Sequence, residues 1–376
     1  MPMKTTSRTA TFGLFPIFLA GAGCSLPSQS RDEGATQTAA LSRTAERKGE
    51  VFTQTNAAVR NELLAFARGD DGTLTPEGRF DTGGAGLGTG VPAQGAITAS
   101  DHWLFVVNAG SNDVSTFDLR SDPPTLASRT PSGGTQPVSV TAHHHLVYVL
   151  NAAGAGNISG FQVDEHGMLD PVATRPLSGE SVVPTQVAFA PDGDTLVVTE
   201  KATNLIDTYF VDDDGRAHGP TVTPSDGPAP FGFAFTPQGE LIVSEAAQSA
   251  ASAYAVQDEV HLASISTSIQ NGQSAACWVV VTPDGEHAFT SNTGSGTLSS
   301  YRIGAGGALT LESGAAGSTG PESHPIDIAL AAFGTFLFAL ADGAGTITAF
   351  RVDGGRLTSV GTVDSIPPSA TGLIAR

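Results

Sequence analysis

Two glutamates break a pattern. VVTE at 197–200 and IVSE at 242–245 end in Glu, where the matching phrases FVVN at 105–108 and FTSN at 289–292 end in Asn. Lys201 follows Glu200, and no other lysine occurs after position 50. A positioned carboxylate can take a proton from water, and a cation or amide can hold the oxyanion that then forms on a carbonyl. Together they can open a cyclic ester. Glu200 and Glu245 are candidate bases, with His324 as their rival. Lys201 or an Asn side chain is the candidate oxyanion donor.

Five further residues are candidates for holding a substrate. Trp278 offers a flat apolar wall, and Asp327 interrupts an otherwise apolar run. Gln94 and Gln186 stand at the corresponding place in other repeats, and Asn292 stands at the place that Glu200 and Glu245 hold in theirs. Glu200, Glu245, Asp327 and Asn292 are also oxygen donors of the kind Ca²⁺ takes; no other cofactor is expected. There is no phosphate loop, no CxxC and no GxSxG. His143, His144 and His145 fall in a turn on the opposite face, and three adjacent residues do not converge on one metal. A plainer use exists for all of these: Asn tolerates tight-turn angles and caps strand ends, Glu200–Lys201 makes a surface pair, and Asp327 bonds between strands.

The elements that must position these residues come from a repeat. PTQVAFAPDGDTLVVTE at 184–200 reads as a hairpin around Pro-Asp-Gly. The phrase returns with its turn at Gly239, Gly285 and Gly334, and backwards at His144 and Asp101, in steps of 43 to 49 residues. A period in that range marks a repeat architecture. Each unit has four strand-like segments, which is a propeller blade. The first unit lacks an innermost strand, and the tail PPSATGLIAR supplies one with no blade after it. The spacing therefore predicts an all-β, seven-bladed β-propeller over 51–376, its N- and C-terminal segments sharing one blade. Sharing leaves no inner edge unpaired. Strand A, nearest the axis, is expected to begin near Gln94, Pro137, Gln186, Gly232, Trp278, Asp327 and Thr371. Strand B is expected to end at Asn56, Asn108, Asn151, Glu200, Glu245, Asn292 and Asp342. Both rings would line one mouth of the central channel.

Composition narrows the partners. The 376 residues carry a net charge of −19 and only 18 basic side chains. Nucleic-acid binding needs a basic stripe, and none is visible. Residues 1–24 read as an export signal: Lys4 and Arg8, then an apolar run too short to span a bilayer, ending at Cys24. This resembles a lipoprotein signal with Cys24 as the lipidated residue, and an A-x-A site at 20–22 is the rival. Residues 25–50 read as a disordered tether. With Cys24 lipidated, Cys277 has no partner and is expected to be a buried, inert thiol.

The repeat phrases with PDG and YVLN, and the stretch GQSAACWVVVTPDGEHAFTSNTGSGTLSSYRI at 272–303, resemble the bacterial lactonase-family propellers. That family includes 6-phosphogluconolactonases and carboxymuconate cyclases. The resemblance covers nearly all of 51–376 and implies a lactone hydrolase with its site at the channel mouth. It also implies no metal, since a Ca²⁺ site belongs to the six-bladed lactonases. The family's His, Glu and Arg constellation is not matched here, because no inner strand opens with a PRH-like phrase. Cations on that face are few: Lys201, Arg60 and Arg175. A neutral or weakly charged lactone or sugar-derived ligand is therefore expected, bound by a monomer that meets a membrane only through its lipid. The alternative is a non-catalytic cell-envelope propeller that binds a ligand or protein.

Overall fold

The computed structural model describes residues 49–258 and 260–376. Its strands form seven antiparallel sheets of four, and the innermost strands of successive sheets touch all the way round. Blades 2 to 7 span 97–131, 135–176, 184–224, 230–270, 276–318 and 325–363. Blade 1 is composite. Its strand A is Thr371–Ala375, and its strands B to D are Gly49–Gln54, Glu62–Arg68 and Leu74–Asp81. Val51 pairs with Ala375, and Phe52 with Ile374. Glu50 and Arg376 exchange backbone hydrogen bonds of 3.1 and 2.9 Å. The propeller starts at Gly49, two residues before the expected boundary. The export segment, Cys24 and the tether up to residue 48 lie outside the described residues.

The repeat frame has a conformational cause. Asp101, His144, Gly193, Gly239, Gly285 and Gly334 all have positive φ, between 51° and 98°. One left-handed slot in the A–B turn recurs in six blades. Glycine takes it at little cost, and Asp101 and His144 tolerate it. These turns lie on what we term the lower face, with the C–D turns. The B–C turns and the links from strand D to the next strand A lie on the upper face.

Packing between blades is apolar, with polar stitches. Tyr209, Tyr254 and Tyr301, all on strand C, are fully buried. Each hydroxyl reaches the preceding blade or its outgoing link. Tyr209 donates to the Pro176 carbonyl at 2.9 Å, Tyr301 donates to Ile269, and Tyr254 accepts from the Asp226 amide. A buried phenol so satisfied adds specificity to a large apolar contact.

Strand A carries a feature that spacing does not reveal. In blades 3 to 7 its pairing with strand B slips by a residue near its start, as between Pro184 and Gln186. This bulge corrects several ring positions. Ser139, not Pro137, is the counterpart of Gln186, Gly232, Trp278 and Asp327. Leu373 replaces Thr371, and Ala96 replaces Gln94. On strand B, Gln54 and Ala341 replace Asn56 and Asp342.

Candidate functional site

The residue that ends strand B is a clamp on strand C. In blade 2 the Asn108 amide donates to Asp113 at 2.7 Å and Ser115 at 2.8 Å. In blade 3 Asn151 donates to Asn157 at 2.9 Å, and in blade 6 Asn292 donates to Thr297 and Ser299 at 3.0 and 2.8 Å. All three Asn are fully buried. Their amides replace water for strand C side chains, which explains Asn there better than turn geometry does.

Glu200 and Glu245 hold the same position and are equally buried. In blade 5 Glu245 accepts from the Ser252 and Ser268 hydroxyls in two very short contacts. Burial pushes its carboxyl above the usual range, and those hydroxyls pull it back. In blade 4 Glu200 accepts from the Ser178 amide at 3.1 Å, the Ser178 hydroxyl at 2.5 Å and the Thr203 hydroxyl at 2.7 Å. Beside it stands Asp207, where blades 2, 3, 5 and 6 have Ser115, Ser159, Ser252 and Ser299. Asp207 accepts from the same Ser178 amide at 2.9 Å. Its pKa is raised to about 8, by burial first and then by Glu200.

The upper mouth of the channel is stoppered. The link between blades 1 and 2, residues 82–96, runs across it, with Val91 and Ala93 buried. Gln94 reaches blade 6: its amide donates to the Val279 carbonyl at 2.8 Å, and its oxygen accepts the Val279 amide at 3.0 Å. Trp278 is buried, and its indole N–H donates to the Ala93 carbonyl at 3.2 Å. Gln186 makes the same two-ended bridge to Phe233 of blade 5. The expected substrate-binding residues Gln94, Gln186 and Trp278 thus bond protein to protein, Gln94 and Trp278 between the link and blade 6 and Gln186 between adjacent blades 4 and 5. Gly232 is required beneath them. A Cβ there would lie 2.2 Å from Gln94 Oε1 and 2.7 Å from the Cys277 carbonyl.

Below the stopper lies a cavity of about 260 Å³, lined by Gln94, Gln186, Asp327, Thr98, Thr141 and Val280 among others. Asp327 is 2% exposed. Its Oδ1 accepts the Ile328 amide at 2.8 Å, the Leu373 amide also acts on the carboxyl, and Oδ2 has no close partner among the described residues. Burial drives its pKa well above the usual carboxylate range.

Accessible chemistry lies one residue past the clamp. That position holds Lys201, Thr293 and Asp342 in blades 4, 6 and 7, all partly exposed. The Lys201 ammonium lies 5.5 Å from the centre of the buried Phe231 ring. It also acts electrostatically on Cys277, whose thiol bonds Thr293. Cys277 is buried as expected, and burial pushes its pKa up to about 11. Thr293 donates to the Pro325 carbonyl at 2.9 Å, next to His324. His324 is exposed, with Nδ1 3.8 Å from Asp342 Oδ1. Burial raises the Asp342 pKa, opposed by the Gly343 amide and His324. These interactions run from Lys201 in blade 4, through blades 5 and 6, to His324 beside blade 7. Asp342 was expected to end strand B and Thr293 was not singled out; reading the register one residue further in every blade finds both.

The four Ca²⁺ donors do not converge. They belong to blades 4, 5, 6 and 7, and Glu200, Glu245 and Asn292 are consumed by their own clamps. Among the described residues no three His, Cys, Asp or Glu side chains group as a metal site. Arg60 pairs with Asp81 at 2.9 Å, and Arg175 donates to the Thr174 carbonyl on strand D, so neither adds a free cation to the mouth.

No protein-family model matches the chain, and no curated protein does. Solved structures do. A candidate 6-phosphogluconolactonase from Bacteroides fragilis superposes with a TM-score of 0.71 at 18% identity, over 89% of this chain and 99% of that one. The periplasmic gluconolactonase of Pseudomonas aeruginosa gives 0.66 at 17%, over 87% and 98%. A virginiamycin B lyase from Staphylococcus aureus gives 0.53 at 18%, over 70% and 82%.

Proposed function

We propose that this lactonase-like propeller opens neutral or weakly charged cyclic esters on the upper rim of blades 4 to 7. One observation carries the reading: His324 faces Asp342, and Asp342 shares its register position with Lys201 and Thr293. His324 takes the proton of the attacking water and returns it to the ring oxygen as the acyl bond breaks, with Asp342 orienting the imidazole. Lys201 holds the oxyanion that forms on the carbonyl. Glu200 and Glu245 act at one remove, by holding strand C and the links above it. The names of the Bacteroides and Pseudomonas proteins support the reaction class. The scarcity of free cations supports an unphosphorylated substrate. The protein works outside the cytoplasm, held by lipid on Cys24, and the mass of the mature N-terminus tests that part; a free terminus at Gly23 would overturn it.

The stoppered mouth and the buried glutamates favour a second reading, a cell-envelope module that binds without turnover. A pH-stat screen of aliphatic, sugar and aromatic lactones separates the two. Hydrolysis should be found, and His324→Gln should lower it by roughly 10²–10⁴-fold at nearly unchanged melting temperature. Turnover that survives this change but fails in Glu200→Gln or Glu245→Gln would move the base to the clamps. No turnover on any class leaves the binding module.

A further inference from the structure

The clamp of blade 4 differs from the others in one respect. Asn108, Asn151 and Asn292 offer an amide to hydroxyl, amide or acid partners on strand C, and Glu245 meets two serines. Blade 4 alone sets a carboxyl, Glu200, against a second carboxyl, Asp207, at the place of the usual serine. Neither is exposed to water. The Ser178 amide points at both, 3.1 Å from Glu200 Oε1 and 2.9 Å from Asp207 Oδ2. Two ionised carboxylates cannot be held this way without a counter-charge.

We propose that Glu200 and Asp207 share a single proton, and that this proton keeps the upper-face link over residues 177–183 closed on blade 4. The link is pinned through Ser178, whose amide and hydroxyl are both spent on the pair. Its other anchors are the buried side chains of Leu177 and Val182 and, at its far end, two backbone bonds, from the Lys201 amide to the Val183 carbonyl at 3.1 Å and from the Ala202 amide to the Val182 carbonyl at 3.0 Å. It also carries strain that needs such pinning, since Ser181 and the β-branched Val183 have φ of 60° and 54°, a region β-branched residues avoid.

The groups facing the pair are few. Tyr209, from strand C, lies 3.4 Å from Asp207 Oδ2 and spends its hydroxyl on the Pro176 carbonyl. Lys201 adjoins Glu200 in sequence, but its ammonium sits over Phe231. Glu180, on the link, is exposed. Ser178 and Thr203 are neutral. None of these replaces the proton with a positive charge.

The sign follows from linkage. In the folded chain Asp207 keeps its proton up to about pH 8, whereas in the unfolded chain it ionises near its ordinary value, about 4. The stabilisation is complete in acid and is lost as pH rises through the folded value. The link therefore loosens in alkaline solution.

Hydrogen exchange of the amides at 177–183 in the full chain tests this, at pH about 5.5 and about 9.5, corrected for intrinsic rates. The opening constant of this link should rise at least tenfold, while the corresponding link at 271–275, which lies over the amide clamp of Asn292, should not change. Glu200→Gln supplies the amide of the other blades and Asp207→Ser their hydroxyl, and each should flatten the pH response. If one variant fails to fold, the other decides. A link whose opening is independent of pH overturns the proposal, as does a response that persists in a folded variant. Abolition of the response by millimolar Ca²⁺ also overturns it, since a metal would then be the counter-charge.

Discussion

At its upper end the channel is crossed by the link whose Gln94 answers both backbone groups of Val279 and whose Ala93 is tied to Trp278, while Gln186 answers both backbone groups of Phe233 in the next blade. Below this stopper the same inner strands leave a cavity of about 260 Å³ and one carboxyl oxygen of Asp327 without a close partner among the described residues. The upper end is closed, whereas the cavity opens to solvent; both carry polar side chains. The upper end meets its hydrogen-bonding demands in full and so is rigid. The cavity leaves one carboxyl short of partners, and burial raises its pKa. Residue type alone did not separate these cases, since an amide or an acid facing an axis reads as a ligand contact either way.

Breaking the upper end should have the largest effect. A side chain at Gly232 meets backbone as well as Gln94, so Gly232→Val should cost about 3 kcal/mol or more in urea unfolding. Gln94→Leu keeps the bulk but strands the amide and carbonyl of Val279, and should cost about 1–2 kcal/mol. If Gln94→Leu is neutral, the stopper is packing rather than hydrogen bonding. The lower end should respond in the opposite direction. Burial raises the Asp327 pKa in the folded chain, while the unfolded chain ionises it near its ordinary carboxylate value, so it opposes stability increasingly as pH rises above that value. Asp327→Asn should melt higher than the natural chain near neutral pH, with the gap closing below about pH 4. A variant that melts lower at every pH would show that Asp327 is ionised and paired.

The ring was legible because its punctuation is steric. A left-handed turn slot recurs in the A–B turn of six blades, and glycine fills four of its places. The shared blade was legible for a related reason, because a strand without a sheet and a sheet without a strand are both visible as text. The site was less so. A bulge in strand A shifts the register by one and carries no residue signature, so Gln94 and Pro137 were aligned with residues they do not match. Asp207 was missed although its signal was present. Two residues into strand C the chain reads Ser115, Ser159, Asp207, Ser252, Ser299 and Thr348, and only one of these is an acid. That comparison needs the pairing of strands B and C, which alternation alone does not supply.

The composite blade sets the order in which the fold can complete. Thr53 bonds the carbonyl of Thr371 across 318 residues of chain, so the inner edge of blade 1 is among the first segments made and among the last to be covered. While the chain is synthesised, six blades can form locally, but the circle cannot shut until strand A of blade 1 is free. Closing contacts of that sequence separation are slow to form, and an uncovered edge is a template for other chains in the meantime. The protein is therefore most exposed to misassembly late in its folding, when it already has most of its native sheets.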